Sequence, residues 1–379
     1  MPPNTLFKLK GETKELPLWQ ALYAAGSFVE SMGLGMGPMS TAADKLEGAD
    51  VLFARLLEPY FAELDRLLRD DELVRFATLF ARFSERDLKS LDNVPAGTLL
   101  SMTHVFVDEF QDISPDVVGW IRGVLGALKR RGVQTSLLCV GDDYQSIYGW
   151  RGSSPHYFLR YEKEFPSDAV TRVRLEENFR SGQTIIDSAE RTLLGIPRAA
   201  KTEKHGLSRV KEPGSVVLRP TEDVASIVGE VRALIAGFPP GKPPSVFVLG
   251  RTNRATNEVA AELEKLARGT RPTAMTFHKS KGLEADLCVL VGDCLYLGES
   301  PFRNLAYSLA GFPGSYDEAQ RHEALRLAYV ALTRAKRHCV WFAKPQKGGA
   351  FELLQPQRKP AMGVRAKPPA RDVPKPAGP

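Results

Sequence analysis

A chain of 379 residues that is 43% hydrophobic and 25% charged is long enough for two or three domains and has the make-up of a globular protein. No apolar run is long enough to span a bilayer, and the start, Met1-Pro-Pro-Asn-Thr5, carries no signal-peptide core, so the expected setting is the cytoplasm with no membrane partner. The net charge of +6 misleads, because the stretch Gln355–Pro379 holds six Lys/Arg and one acid and so accounts for five of those charges.

In chain order, residues 1 to about 100 read as helical. Ala49–Arg69 places apolar residues at three- and four-residue spacing, with Pro59 expected to interrupt it, and Asp71–Phe83 reads as a second amphipathic helix. Gly33-Leu-Gly-Met-Gly-Pro38 looks like a phosphate cradle but lacks the Gly-Lys and a preceding strand, so it reads as a turn. From His104 to about Phe165 the pattern becomes strand, helix, strand, helix, with Ser114-Pro115 as a helix start. Strand candidates follow at Val170–Leu175, Ser215–Leu218, Ser245–Leu249, Thr273–Phe277, Leu287–Val291 and His338–Ala343. Helical stretches at Ala225–Ile235, Asn257–Ala267 and Glu318–Ala331 alternate with them, which predicts a largely parallel, helix-covered sheet. Cys139, Cys288, Cys294 and Cys339 show no Cys-x-x-Cys pairing and read as reduced packing residues. Beyond Leu354 the Pro-, Lys- and Arg-rich tail cannot build a core and is expected to be disordered.

Five segments carry chemistry. His104-Val-Phe-Val-Asp-Glu-Phe-Gln-Asp112 is an apolar strand ending in adjacent acids, where Asp108 suits Mg²⁺ and Glu109 suits polarising a water; the alternative is a solvated acidic turn. In Gly141-Asp-Asp-Tyr-Gln-Ser-Ile-Tyr-Gly-Trp-Arg-Gly152, Gln145 can both donate to and accept from a γ-phosphate or water. Tyr148 and Trp150, beside Arg151, offer stacking faces for bases, against the alternative of a place in the core. Arg180, in Arg174-Leu-Glu-Glu-Asn-Phe-Arg-Ser181, either reaches a transferring phosphate or is a surface arginine. Thr276, His278 and Lys281, in Thr276-Phe-His-Lys-Ser-Lys-Gly-Leu-Glu-Ala-Asp286, suit backbone phosphates, and Glu284 suits a ribose hydroxyl, unless this is an ordinary charged loop. Tyr329-Val-Ala-Leu-Thr-Arg-Ala-Lys336 reads as helical, with Arg334 extending toward phosphates or ion-paired on the helix.

Each motif alone is moderate, but the five in this order over residues 104 to 338 are specific, and together they resemble the later motifs of the UvrD/Rep-type superfamily-1 DNA helicases, nearest the helicase IV branch. The resemblance covers roughly two thirds of the chain. It implies ATP and Mg²⁺ as cofactors and 3′–5′ movement on single-stranded DNA with unwinding of duplexes, in repair or recombination, with DNA junctions among the partners. By position it implies Asp108 for Mg²⁺, Glu109 for the attacking water, Gln145 for the γ-phosphate, Arg180 and Arg334 as arginine fingers, Glu284 near the ribose and Phe179 beside the adenine. Tyr148, Trp150, Thr276 and His278 would line the DNA path.

The implied fold is α/β and RecA-like, with a helical accessory subdomain over 1–100, the carboxyl half of a first RecA-like domain over 101–169, a complete second one over 170–354 and the tail over 355–379. Three departures stand out. No Gly-x-x-x-x-Gly-Lys-Ser/Thr occurs, about 95 residues between Arg180 and Thr276 leave no room for a large inserted subdomain, and no nuclease motif follows Leu354. Without the P-loop the chain is expected to hydrolyse ATP poorly on its own. It is then a helicase fragment, one half of a split helicase whose partner chain carries the P-loop, or a non-catalytic single-strand-binding module.

Overall fold

The computed structural model describes residues 5–12, 14–239, 241, 243–266 and 271–355, so the tail expected to be disordered lies, from residue 356 on, outside the described residues. In chain order the elements that position the functional segments begin with the helices α1 (Leu18–Ser31) and α2 (Ala49–Asp70). Strand β1 (His104–Val107), helix α3 (Pro115–Arg130) and strand β2 (Ser136–Cys139) come next. Helix α4 (Gln183–Thr192) then leads into β3 (Ser215–Arg219), α5 (Val224–Ala236), β4 (Val246–Gly250), α6 (Asn253–Leu266), β5 (Thr273–Thr276) and β6 (Ala285–Val291). Helices α7 (Pro301–Leu309) and α8 (Tyr316–Leu332) and strand β7 (Ala335–Phe342) complete the set.

Five strands form one all-parallel sheet in the order β3-β7-β6-β4-β5. Its central strands are near-continuous apolar runs because both of their faces are covered. On one face Cys288, Leu290, Cys339 and Trp341 pack with Ile185 and Ala189 of α4 and Ala331 and Leu332 of α8. On the other, Leu287, Val289, Val340 and Phe342 pack with Ile227 and Val231 of α5 and Val259 and Leu263 of α6. All four cysteines are free thiols, three of them buried, in keeping with packing roles. The positions of these strands follow the sequence pattern closely.

The second sheet has only two strands, β1 and β2, paired in parallel. One face, Val107, Leu137 and Cys139, packs with α3 through Val118 and Ile121. The opposite face lies open, with Phe106 72% and Leu138 53% exposed and Val140 exposed beyond them. Parallel sheets are normally buried on both faces, so this one lacks a layer among the described residues.

Four local expectations need correcting. Val170–Leu175 is not a strand: all six residues are exposed, and Val173 and Leu175 meet no sheet that would reward pairing. Pro59 does not interrupt α2, because Phe53, Ala54, Leu57 and Phe61 on the same helix are buried and hold it straight through. The second helix shrinks from Asp71–Phe83 to Phe76–Arg82. Asp70, Asp71 and Glu72 crowd the negative end of α2, and Glu72 turns into the left-handed region. Finally, Tyr329–Lys336 is not helical throughout: α8 stops at Leu332 and Ala335 already belongs to β7, which puts Arg334 at the junction. The glycine-rich stretch after Gly33 runs into a short helix, Met36–Thr41.

The amino-terminal helices do not stand apart. Phe28 and Val29 of α1 and Phe53 and Leu57 of α2 share one core with Phe302, Leu305 and Tyr307 of α7 and Tyr316 of α8. This core places the amino-terminal segment against the face of the molecule where the aromatic motif lies.

Candidate functional site

The acids come first. Asp108 and Glu109 follow directly on β1, and Asp108 Oδ1 accepts the Glu109 N–H at 2.8 Å. Glu109 has φ 51°, a left-handed conformation that costs a non-glycine residue about 1 kcal/mol or more and is commonest at functional sites. Gln111, which sequence reading passed over, is fully buried and fixes this turn. Its amide donates to the Glu109 carboxylate, and its Oε1 accepts the Asp142 N–H at 2.9 Å. Ser146 Oγ donates to Gln111 O at 3.0 Å. A side chain at Gly141 would come within 2.5 Å of Gln111 Oε1, so the close approach needs glycine. Gln145 lies in the same loop with its amide donated to Asp142 at 2.8 Å.

Lys281 is not where a phosphate-contacting lysine would be. It is buried and ion-paired with Asp112 and with Glu109 (3.1 Å), and it donates to Gln145 O at 3.1 Å. Burial pushes the Asp112 carboxyl up even though Lys281 opposes the shift. Lys281 therefore ties the acidic turn to the Gln145 loop. The lysine that faces the cleft described below is Lys279, two residues earlier.

A pocket of about 440 Å³ is lined by Glu177, Asn178, Phe179, Arg180, Glu284 and Lys336. Asn178 Oδ1 accepts the N–H groups of Arg180 and Ser181, each at 2.9 Å, and Ser181 Oγ donates to Ala335 O at 2.7 Å, which anchors the turn to β7. Arg180 Nε donates to Glu284 at 2.7 Å, while Phe179 is 74% exposed with its ring free to stack.

Behind this pocket Arg334 is only 1% exposed. It donates to Val330 O at 2.8 Å and Leu283 O at 3.2 Å, and it has no carboxylate partner among the described residues. Burial and repulsion from Arg180 push the guanidinium down to about 10, which still leaves it charged at neutral pH. Two neighbouring guanidiniums, one of them buried without a counter-charge, form a site that an anion would relieve.

A second cleft, of about 570 Å³, gathers Tyr148, Trp150, Arg151, Thr276 and His278 along with Arg251, Lys279 and Arg303. Arg151 stacks 4.4 Å from the Trp150 ring centroid, and Trp150 meets His278 edge-on at 6.5 Å. Burial first, then Arg251 and Arg151, push His278 down to about 4, so it is a neutral ring at pH 7. Sequence reading did not pick out Arg251, Lys279 or Arg303, because their claim on the site is tertiary proximity alone. The loop from Thr276 to Asp286 joins the whole arrangement. Thr276 and His278 line the cleft, Lys281 reaches the acidic turn, and Glu284 pairs with Arg180 in the first pocket.

Comparison with known proteins fits this geometry. Residues 39–166 match the family model described as the UvrD/REP helicase N-terminal domain. DNA helicase IV of Escherichia coli is 30% identical over 271 residues, which is 66% of this chain. The chain is similar to the UvrD/Rep-type helicases. UvrD2 of Mycobacterium tuberculosis strain H37Rv, an ATP-dependent DNA helicase by name, is 36% identical over 163 residues, and the E. coli ATP-dependent DNA helicase Rep is 30% identical over 162. Those matches cover 41% and 42% of this chain. They take up 35%, 21% and 22% of helicase IV, UvrD2 and Rep, so the chain spans about a third or less of the length of these relatives. A solved structure titled "The structure of PRRSV helicase" is 18% identical, with a TM-score of 0.31 over 63% of this chain and 34% of its own. That is too loose a match to assign a domain arrangement.

Proposed function

We propose that these residues form the carboxyl-terminal part of an ATP-dependent 3′–5′ DNA helicase acting in repair or recombination in the cytoplasm. They would supply the second RecA-like domain, the carboxyl half of the first, and the single-strand path. The observation that carries this reading is the Thr276–Asp286 loop, which reaches both the aromatic, basic cleft and the pocket holding Arg180 and Glu284. Stacking on Tyr148 and Trp150 grips bases without reading sequence, and Arg151, Arg251 and Lys279 attract the backbone. Among the described residues no helix is long and apolar enough to cross a membrane.

The donor set suits one side of a nucleotide–Mg²⁺ complex. Bound ATP would supply the phosphoryl group whose hydrolysis drives the motor. Phe179 would flank the adenine, Glu284 the ribose, and Arg180 and Arg334 the terminal phosphate, with the unpaired, buried charge of Arg334 as the structural reason to expect an anion. Asp108 would give Mg²⁺ one carboxylate. Among the described residues no cluster of three or more His, Cys, Asp or Glu could hold a metal, so phosphate and water would supply the remaining ligands. Glu109, held by Gln111 and Lys281, would orient the attacking water, with Gln145 sensing the phosphate. A cradle for the β-phosphate has no sequence among these 379 residues. The bare face of Phe106 and Leu138 favours its delivery by further polypeptide that completes the two-stranded sheet, either in the same chain or in a partner.

The test pairs binding with turnover. The 379-residue chain is expected to bind a fluorescein-labelled oligo(dT), with affinity about tenfold weaker after Trp150→Ala, and to show no DNA-stimulated ATP hydrolysis. Binding indifferent to both Trp150→Ala and His278→Ala would sink the DNA path. Hydrolysis lost in Glu109→Gln would show that a phosphate cradle is already present.

A further inference from the structure

Helix α8 is largely buried and carries an acid that the site chemistry does not use. Glu323 is 8% exposed on the floor of the aromatic cleft. Its Oε2 accepts the Gly149 N–H at 2.8 Å and the Gln320 amide at 3.0 Å. Gly149 sits between Tyr148 and Trp150, and a Cβ there would come within 2.4 Å of that same oxygen, so glycine is what lets the backbone settle on the carboxylate. From Gly149 the chain makes one tight turn, in which Arg151 N–H donates to Tyr148 O and Gly152 N–H donates to Gly149 O, both at 2.9 Å. Arg303 holds the far side of that turn. It donates to Trp150 O at 2.8 Å and is itself held by Glu12 at 2.8 Å and Tyr316 at 3.3 Å. The turn that presents Trp150 therefore has two fixed points, one of them a buried carboxylate.

We propose that Glu323 is a positioning residue for the aromatic cleft: by holding the Gly149 N–H it sets the turn that aims Trp150 and Tyr148 at the bases of a single strand. The proposal rests on the reading of this cleft as the single-strand path. It adds a coupling, because α8 runs from Glu323 to Leu332 and the carbonyl of its Val330 accepts from the buried Arg334, so one helix touches both the base-stacking turn and the arginine behind the first pocket. Burial is the largest influence on the Glu323 carboxyl and pushes it up to about 7, with Arg326 opposing the shift and Asp112 adding to it. A carboxylate kept at such cost fits a group retained for its geometry.

The test uses the full chain, labelled oligo(dT), and Trp150 fluorescence taken as the difference between the parent and Trp150→Phe. Glu323→Ala is expected to weaken binding about tenfold and to make Trp150 more accessible to acrylamide. Glu323→Gln keeps an oxygen for the Gly149 N–H and is expected to restore both within about threefold. Gly149→Ala should reproduce the alanine defect by pushing the turn off the acid. A Glu323→Ala chain that melts like the parent, binds as tightly and leaves the Trp150 signal unmoved overturns the proposal. If Glu323→Ala does not fold, unaltered binding by Gly149→Ala overturns it in the same way. Parent-like binding by both Trp150→Ala and His278→Ala removes the cleft reading itself, and with it the proposal.

Discussion

Glu323 and His278 show how the cleft stores electrostatic cost in single residues. Both are desolvated, but they respond to pH in opposite directions. Glu323 has its folded pKa raised to about 7 from an ordinary carboxyl value of 4.5, so between those values the folded state binds more protons than the unfolded one. Its contribution to stability is full below about 4.5 and is lost as pH rises through 7. His278 is lowered to about 4 from 6.5, so the unfolded state binds the extra proton and stability is lost as pH falls from 6.5 toward 4. Asp112 also sits above its ordinary value and reinforces the Glu323 trend, while Arg326, on the next turn of α8, works against it. Melting temperatures of the parent and Glu323→Gln between pH 5 and 8 should therefore diverge, with the parent losing stability relative to the amide variant as pH rises, while the His278 trend is common to both. Parallel curves would mean that Glu323 is already ionised throughout the range. Arg334 is the complementary case: it stays charged while buried and is held by two carbonyl oxygens and the Thr333 hydroxyl, with no carboxylate among the described residues, a cost that makes sense where an anion is expected.

At the scale of elements, α2 shows what local rules miss. Pro59 sits on the exposed face of a 22-residue helix that continues past it, so the missing N–H and the ring's clash are tolerated only because the opposite face is packed. A helix-interior proline costs about 3 kcal/mol relative to alanine, offset by up to about 1 kcal/mol from the stiffer unfolded chain. Pro59→Ala is expected to stabilise the protein by about 2 kcal/mol in urea denaturation with an unchanged slope, and a destabilised variant would show that the proline ring itself is needed at that position. The parallel strands were legible because Val246–Gly250 and Leu287–Val291 are apolar on both faces, which only a doubly covered sheet demands. Val170–Leu175 has the same local character and forms no strand, because strand formation depends on a neighbour that the local sequence does not reveal. The site divides along the same line. Asp108, Phe179, Arg180 and Trp150 were legible because strand ends and tight turns expose their side chains. Gln111, Arg251, Arg303 and Glu323 act across the fold and have no local signature. Lys281 and Lys279 were not distinguishable at two residues' spacing until the short turn His278–Ser280 sent one to the acids and the other to the cleft.

For the whole molecule, charge separates two ways in which the proposed strand path would hold nucleic acid. Outside Gln355–Pro379 the chain is nearly neutral, so on that proposal the cleft would grip by stacking and by a few placed cations, whereas the six basic residues of the last stretch would add phosphate attraction that ignores sequence. The two contributions differ in salt dependence. Each phosphate contact on a single strand adds about 0.7 to the slope of log affinity against log salt, while base stacking adds almost nothing. Removing residues 356–379 should therefore flatten that slope by up to about 4 and cost affinity mainly at low salt, leaving the Trp150 contribution intact. Trp150→Ala should do the reverse, lowering affinity at every salt concentration with the slope unchanged. Measured by anisotropy on oligo(dT) between 50 and about 200 mM salt, the two defects should add, because the groups act on different parts of the strand. If removing the tail leaves the slope where it was, its charges make no phosphate contacts, and the salt dependence must come from Arg151, Arg251, Lys279 and Arg303 inside the cleft.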